Sequence, residues 1–138
     1  MNSVNQARSS KRILIAKLGL DGHDRGVKIV INLLKDAGYQ VIYSGLHKLP
    51  SQIVQIATQE DVDAIGFSIL SGSHMELIGD FLDLWKASND SKISIFAGGI
   101  ISKTDEIKLK ALGVNEVFPT ETELEVILKK IDEIILKK

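Results

Sequence analysis

The sequence contains no cysteine. Disulfides, thiolate metal centres and cysteine nucleophiles are therefore excluded together. Excess charge of either sign is also lacking. With 17 Lys+Arg against 18 Asp+Glu, the formal net charge is −1, which argues against a nucleic-acid binder that works by neutralising phosphates. No apolar run approaches the roughly 20 residues of a membrane span. The first ten residues, MNSVNQARSS, hold no apolar stretch and do not form a secretory signal. What is present is ordinary for one soluble domain: 138 residues, 44% of them hydrophobic and 25% charged. A chain of that size buries about 68–70% of its unfolded surface, enough for a real core. The expectation is a cytoplasmic protein with a disordered tail over residues 1–10 and one domain over 11–138.

From Lys11 onward, strand-like and helix-like segments alternate. Arg12 to Lys17 (RILIAK) is a short apolar run of the kind buried in a parallel sheet. Val27, Val30, Ile31, Leu34 and Ala37 then keep helical spacing, with Gly38 at the position that closes a helix. Gln40 to Ser44 reads as a second strand, and Pro50 suits the first turn of the helix carrying Ile53, Ile56 and Ala57. Asp63–Ser68 and Lys92–Ala97 read as strands three and four, with Ile78, Phe81, Leu82 and Trp85 striping the helix between them. Ser102 with Asp105 opens a further helix that ends at Gly113. Glu116–Phe118 is a short fifth strand, and Thr120 with Glu123 repeats the capping pattern before the last helix. Five βα units without a linker predict an α/β, flavodoxin-like, doubly wound parallel sheet of order 2-1-3-4-5.

Ligands of such sheets bind beyond the carboxyl ends of the strands. Seven glycines (Gly19, Gly22, Gly26, Gly45, Gly72, Gly98 and Gly99) fall in the loops expected there. The first loop, Gly19 to Gly26, has neither dinucleotide nor P-loop spacing. It lacks the Ser and Thr of a flavodoxin phosphate loop, and Ser68 stands where a phosphate-accepting receiver needs aspartate. The loop does carry Asp21 and His23, a pairing in which a carboxylate fixes the tautomer of a metal-ligating imidazole. All three histidines, His23, His47 and His74, follow strands on this face, so a zinc site built from them is a second possibility, without HExxH or HxH spacing to support it.

The stretch Asp21-Gly22-His23-Asp24-Arg25-Gly26 resembles the D-x-H-x-x-G motif of cobalamin-binding domains, Ser68-Ile69-Leu70 their S-x-L and Gly98-Gly99 their G-G. KLGLDGHDRG is most similar to the cobalamin domain of the methylmalonyl-CoA mutase family, and Tyr43 to His47 also looks like small subunits of 2-hydroxyisobutyryl-CoA mutases. The resemblance implies that His23 is the lower axial ligand to cobalt, displacing the cofactor's dimethylbenzimidazole, and that Asp21 holds the other imidazole nitrogen. Gly22, Asp24, Arg25 and Gly26 would line the corrin's lower face and nucleotide loop. Ser68 and Leu70 would contact the displaced base between strands one and three, and Gly98 and Gly99 would leave room for the nucleotide tail. Where family mutases often read F-G-P-G-T, this chain has Phe118-Pro119-Thr120-Glu121-Thr122, so Phe118 and Thr122 carry over and the glycines do not.

The implied cofactor is adenosylcobalamin with its cobalt, and the implied activity is radical carbon-skeleton isomerisation of an acyl-CoA. This chain has no (β/α)₈ barrel for substrate. The expected arrangement is a small subunit, inactive alone, that docks on a large substrate-binding subunit, with no nucleic acid or membrane involved and no catalytic residue of its own. A corrinoid methyl-carrier protein and a non-catalytic cobalamin-handling module are the alternatives.

Overall fold

A computed structural model describes residues 3–18, 25–45, 48–70, 75–88 and 93–136. The elements run α1 (Ser3–Ser9), β1 (Arg12–Lys17), α2 (Arg25–Asp36), β2 (Gln40–Tyr43), α3 (Pro50–Glu60), β3 (Ala64–Leu70), α4 (Met75–Ser88), β4 (Ser94–Ile100), α5 (Lys103–Leu112), β5 (Glu116–Pro119) and α6 (Leu124–Leu136). The strands form one five-stranded parallel sheet of order β2-β1-β3-β4-β5. The doubly wound flavodoxin-like fold expected from the alternation is thus borne out. Its order follows from short right-handed crossovers, which reverse direction once, beside β1.

Strand periodicity sorts the core into two layers. Leu14, Ala16, Ile65, Phe67, Ile95 and Ala97 point to the face covered by α3, α4 and α5. There Phe67 meets Phe81 edge-on at 5.0 Å, and Phe81 stacks on Trp85 at 6.0 Å. Ile13, Ile15, Ala64, Phe96 and Phe118 point to the opposite face, under α2 and α6. The stripe Val27, Ile31 and Leu34 of α2 and the stripe Ile127, Ile131 and Ile135 of α6 seal that side.

Several local expectations hold for their stated reasons. Gly38 and Gly113 end α2 and α5 with φ of +111° and +116°, a conformation in which only glycine avoids a Cβ clash. Ser102 caps α5, its Oγ accepting from the Asp105 N–H at 3.1 Å. Pro50 is the first residue of α3, where its missing N–H costs nothing.

Three expectations need correction. Residues 1–10 do not read as a disordered tail, because Ser3–Ser9 form a helix. Arg8 ties that helix down, donating from Nε and Nη2 to Asp132 of α6 at 3.1 and 2.6 Å and from Nη1 to the Ala37 carbonyl at 3.2 Å. Tyr39 donates to the same carboxylate at 2.5 Å. Next, β3 and β4 run past their expected ends, since Ser68 pairs with Gly98, Ile69 with Gly99 and Leu70 with Ile100. Gly98 and Gly99 therefore lie within β4 rather than in the loop after it, and Gly26 lies in the first turn of α2. Finally, Thr120 does not cap α6. Its hydroxyl donates to the Gly99 carbonyl at 3.0 Å, and Glu123 accepts the first helical bonds from Val126 and Ile127.

Candidate functional site: a cavity over the carboxyl ends of the strands

The two sheet faces are filled differently toward the carboxyl ends of the strands. On the α2/α6 face the floor positions are Lys17 of β1, Gly66 and Ser68 of β3, Gly98 of β4 and Phe118 of β5. The alternation thus places three small residues side by side. The result is a cavity of about 550 Å³. Its roof is the first turns of α2 (Gly26, Val27, Ile29, Val30) and of α6 (Leu124, Ile127), and its far wall is the β5–α6 loop, Pro119 to Thr122. That volume is in the range of small-molecule and cofactor pockets, and a largely apolar lining with a few polar groups is their usual chemistry.

Each glycine here has its own cause. A Cβ on Gly66 would stand 2.3 Å from the Phe96 ring, so the absent side chain lets that ring lie across the floor. Gly99 is fixed by the backbone: it has φ +133°, and a Cβ would come 2.2 Å from the Ile69 carbonyl oxygen. Gly98 is different. A Cβ there meets nothing nearer than the Phe118 carbonyl oxygen at 3.5 Å, and on Gly26 it meets nothing within 4 Å. Neither position requires glycine for the packing of this chain. Both line the cavity, so the missing side chains keep space free there.

Of the residues singled out by sequence, the cavity gathers Gly26, Ser68, Gly98, Gly99, Phe118 and Thr122. Phe118 is buried and meets Phe96 edge-on at 6.1 Å. Ser68 and Thr122 are half-buried, and the Thr122 hydroxyl donates to the Pro119 carbonyl at 2.6 Å. Arg25 opens α2, and Leu70 ends β3. Asp21, Gly22, His23 and Asp24 lie outside the described residues, as do His47 and His74, so the axial-ligand and zinc expectations both fall there. Those four residues belong to the six-residue connection from Leu18 to Arg25, which joins the end of β1 to the helix that roofs the cavity. The floor of the cavity extends from β1 across β3 and β4 to β5.

Sequence reasoning overlooked several lining residues. Lys17 is only 1% exposed at the end of β1, and a lysine closing an otherwise apolar strand was the available signal. Gly66, a glycine inside a strand, was another. Ile29, Ile100 and Leu124 are 47%, 62% and 44% exposed around the cavity mouth. Three exposed large aliphatic residues on one rim mark a surface suited to being covered.

Comparison with known proteins gives a consistent set of relatives. A family model described as the B12 binding domain matches residues 11–128. The chain is 42% identical over 124 residues to the 2-hydroxyisobutanoyl-CoA mutase small subunit of Aquincola tertiaricarbonis, covering 90% of this chain and 91% of that protein. It is 39% identical over 107 residues to the pivalyl-CoA mutase small subunit of Xanthobacter autotrophicus, covering 78% and 72%. Against the Escherichia coli methylmalonyl-CoA mutase it is 36% identical over 107 residues, but spans 15% of that much longer protein. Among solved structures, a cobalamin-binding protein from Desulfitobacterium hafniense superposes with a TM-score of 0.77 at 18% identity, over 93% of this chain and 60% of that one. At that identity the likeness establishes the fold alone.

Proposed function

Because the chain belongs to the B12-binding domain family, we propose that it is the cobalamin-holding small subunit of an adenosylcobalamin-dependent acyl-CoA mutase, working in the cytoplasm against a separate large subunit that binds substrate. The observation that carries this reading is the cavity itself. It is cofactor-sized and lined by two glycines, Gly26 and Gly98, that the packing of this chain does not require. Such room over the carboxyl ends of the strands fits the aromatic base and nucleotide tail of a base-off corrinoid. The apolar lining favours that base over water.

In this reading His23 would hold the cobalt, and Asp21 would orient its imidazole through the second nitrogen. When bound, adenosylcobalamin supplies the radical that begins the carbon-skeleton rearrangement, and that chemistry is the cofactor's own. The residues of this chain bind, orient and exclude water. Gly26, Ser68, Gly98, Phe118 and Thr122 shape the slot for the tail, while the Ile29, Ile100 and Leu124 rim gives an apolar margin that corrin and partner cover. The small-subunit relatives align along most of this chain, which supports a mutase over a corrinoid methyl carrier. Likeness to the corrinoid protein of Methanosarcina barkeri is one of fold, at 17% identity.

The test is electron paramagnetic resonance of cob(II)alamin bound to protein carrying ¹⁵N-labelled histidine. Hyperfine splitting from ¹⁵N is the expected outcome. Splitting only from the cofactor's own ¹⁴N would mean that the base stays on cobalt, and the His23 assignment would fall. His23→Ala should fold, lose the ¹⁵N splitting and bind cobalamin more weakly.

A further inference from the structure

Glu121, an exposed residue in the wall of the cavity, combines strained backbone with a carboxylate its own chain leaves unused. Its backbone is left-handed, with φ +78°, a region where an L side chain crowds its neighbouring carbonyl and glycine does not. The loop makes no use of its carboxylate. The turn is closed by Thr120 Oγ1 on the Gly99 carbonyl at 3.0 Å and by the hydroxyl and N–H of Thr122 on the Pro119 carbonyl at 2.6 and 3.1 Å. Among the described residues, no hydrogen bond or ion pair engages the Glu121 side chain. It is nevertheless placed on the cavity lining, where Lys17 is the other ionisable residue among those described. Lys17 lies on β1 and Glu121 follows β5, three strand spacings away, or about 14 Å. Glu121 thus offers, on strained backbone in the cavity wall, an exposed carboxylate that its own chain leaves unused, which is available to a ligand seated there.

Resting on the reading that this cavity holds the nucleotide tail, we propose that Glu121 is a specificity-determining residue that accepts a hydrogen bond from a ribose hydroxyl of that tail. The chemistry of the tail narrows the choice. Its phosphodiester is anionic and repels a carboxylate. Its dimethylbenzimidazole has one nitrogen glycosylated and, once displaced, the other bears only a lone pair, so the base offers no donor. The ribose hydroxyls are the donors of that nucleotide. A carboxylate on a ribose hydroxyl is also the contact by which other α/β sheets hold nucleotides beyond their strand ends.

The test compares binding of aquacobalamin and of diaquacobinamide, which lacks the phosphate, ribose and base, to the full chain and to Glu121→Gly and Glu121→Gln. Glu121→Gly relieves the left-handed strain, so its Tm should rise while its Kd for cobalamin increases at least about tenfold, the worth of a hydrogen bond to a charged group. Its Kd for cobinamide should not change. Glu121→Gln keeps an acceptor oxygen and should lose less. Unchanged cobalamin binding by Glu121→Gly, or equal weakening toward both corrinoids, overturns the role of Glu121. Gly98→Val separates that failure from a failure of the underlying reading. If filling the cavity does not weaken cobalamin selectively over cobinamide, the tail lies elsewhere and both proposals fall.

Discussion

The two faces of this sheet are built from the same strands by the same alternation, yet one is solid and the other is hollow at one end. On the α3/α4/α5 face, Phe67, Phe81 and Trp85 form a continuous aromatic cluster beside Ile65, Ile78 and Leu109. On the α2/α6 face, Leu34, Ile131 and Ile135 pack as tightly at the amino ends of the strands, and Arg8 and Tyr39 converge on Asp132 there. Toward the carboxyl ends that face gives way to the 550 Å³ cavity. Interiors are close-packed because a void forfeits dispersion contacts. A hollow of this size on one face of an otherwise filled sheet has the dimensions of a ligand pocket, and the closed face supplies the stability that tolerates it.

Mutations on the two faces should separate stability from binding. The largest expected effect is on the solid face: Phe81→Ala should lose about 3–5 kcal/mol of stability, read by denaturant unfolding. Affinity per folded molecule should be preserved, and a specific loss of cobalamin binding would break the division of labour between the faces. Next is Gly98→Val on the hollow face. Only ordinary contacts await its Cβ, the nearest at 3.5 Å, so Tm should stay close to wild type while cobalamin affinity falls about a hundredfold, or 2.7 kcal/mol. Gly66→Ala bridges the two cases. Its Cβ would clash with the Phe96 ring at 2.3 Å. Displacing that ring into the cavity should cost about 1–3 kcal/mol in stability and weaken binding together.

The smallest effect concerns the filled end of the α2/α6 face. Burial, and then the hydrogen bond to Asp132, push the Tyr39 hydroxyl well above its ordinary pKa. Since the unfolded chain releases this proton near pH 10, stability is fully present below that pH and falls as pH rises above it. Asp132→Asn removes a charge-assisted bond to Arg8, should cost about 1–2 kcal/mol at neutral pH, and should make the alkaline decline shallower. An unaltered alkaline profile in Asp132→Asn would mean that burial alone perturbs Tyr39.

The residues that were legible in the sequence are those whose placement depends on near neighbours. Ile13 to Ala16, the α2 stripe and the Phe81–Trp85 stripe announce their elements through spacing alone. The strand ends did not, because Gly98-Gly99 reads locally as a turn while pairing with Ser68 and Ile69 extends β4 through it. The start of α6 was misplaced because the Thr120 hydroxyl is taken by the Gly99 carbonyl, a residue 21 positions away. Helix α1 was missed because its anchor, Asp132, lies 124 residues from Arg8. In the site, Gly26, Ser68, Gly98, Phe118 and Thr122 were recognisable by motif, whereas Gly66 and the exposed aliphatic rim carried no motif at all.

The sequence by itself determined the five βα units, their parallel order and the family, because hydrophobic periodicity and short motifs are properties of adjacent residues. Only the tertiary structure decided which face is hollow, and that Gly98 leaves space open in the cavity while Gly99 answers to the Ile69 carbonyl. It also decided that Glu121, exposed and on left-handed backbone, stands in the wall of the cavity. Those outcomes arise from register and from contacts across strands, which no local pattern encodes.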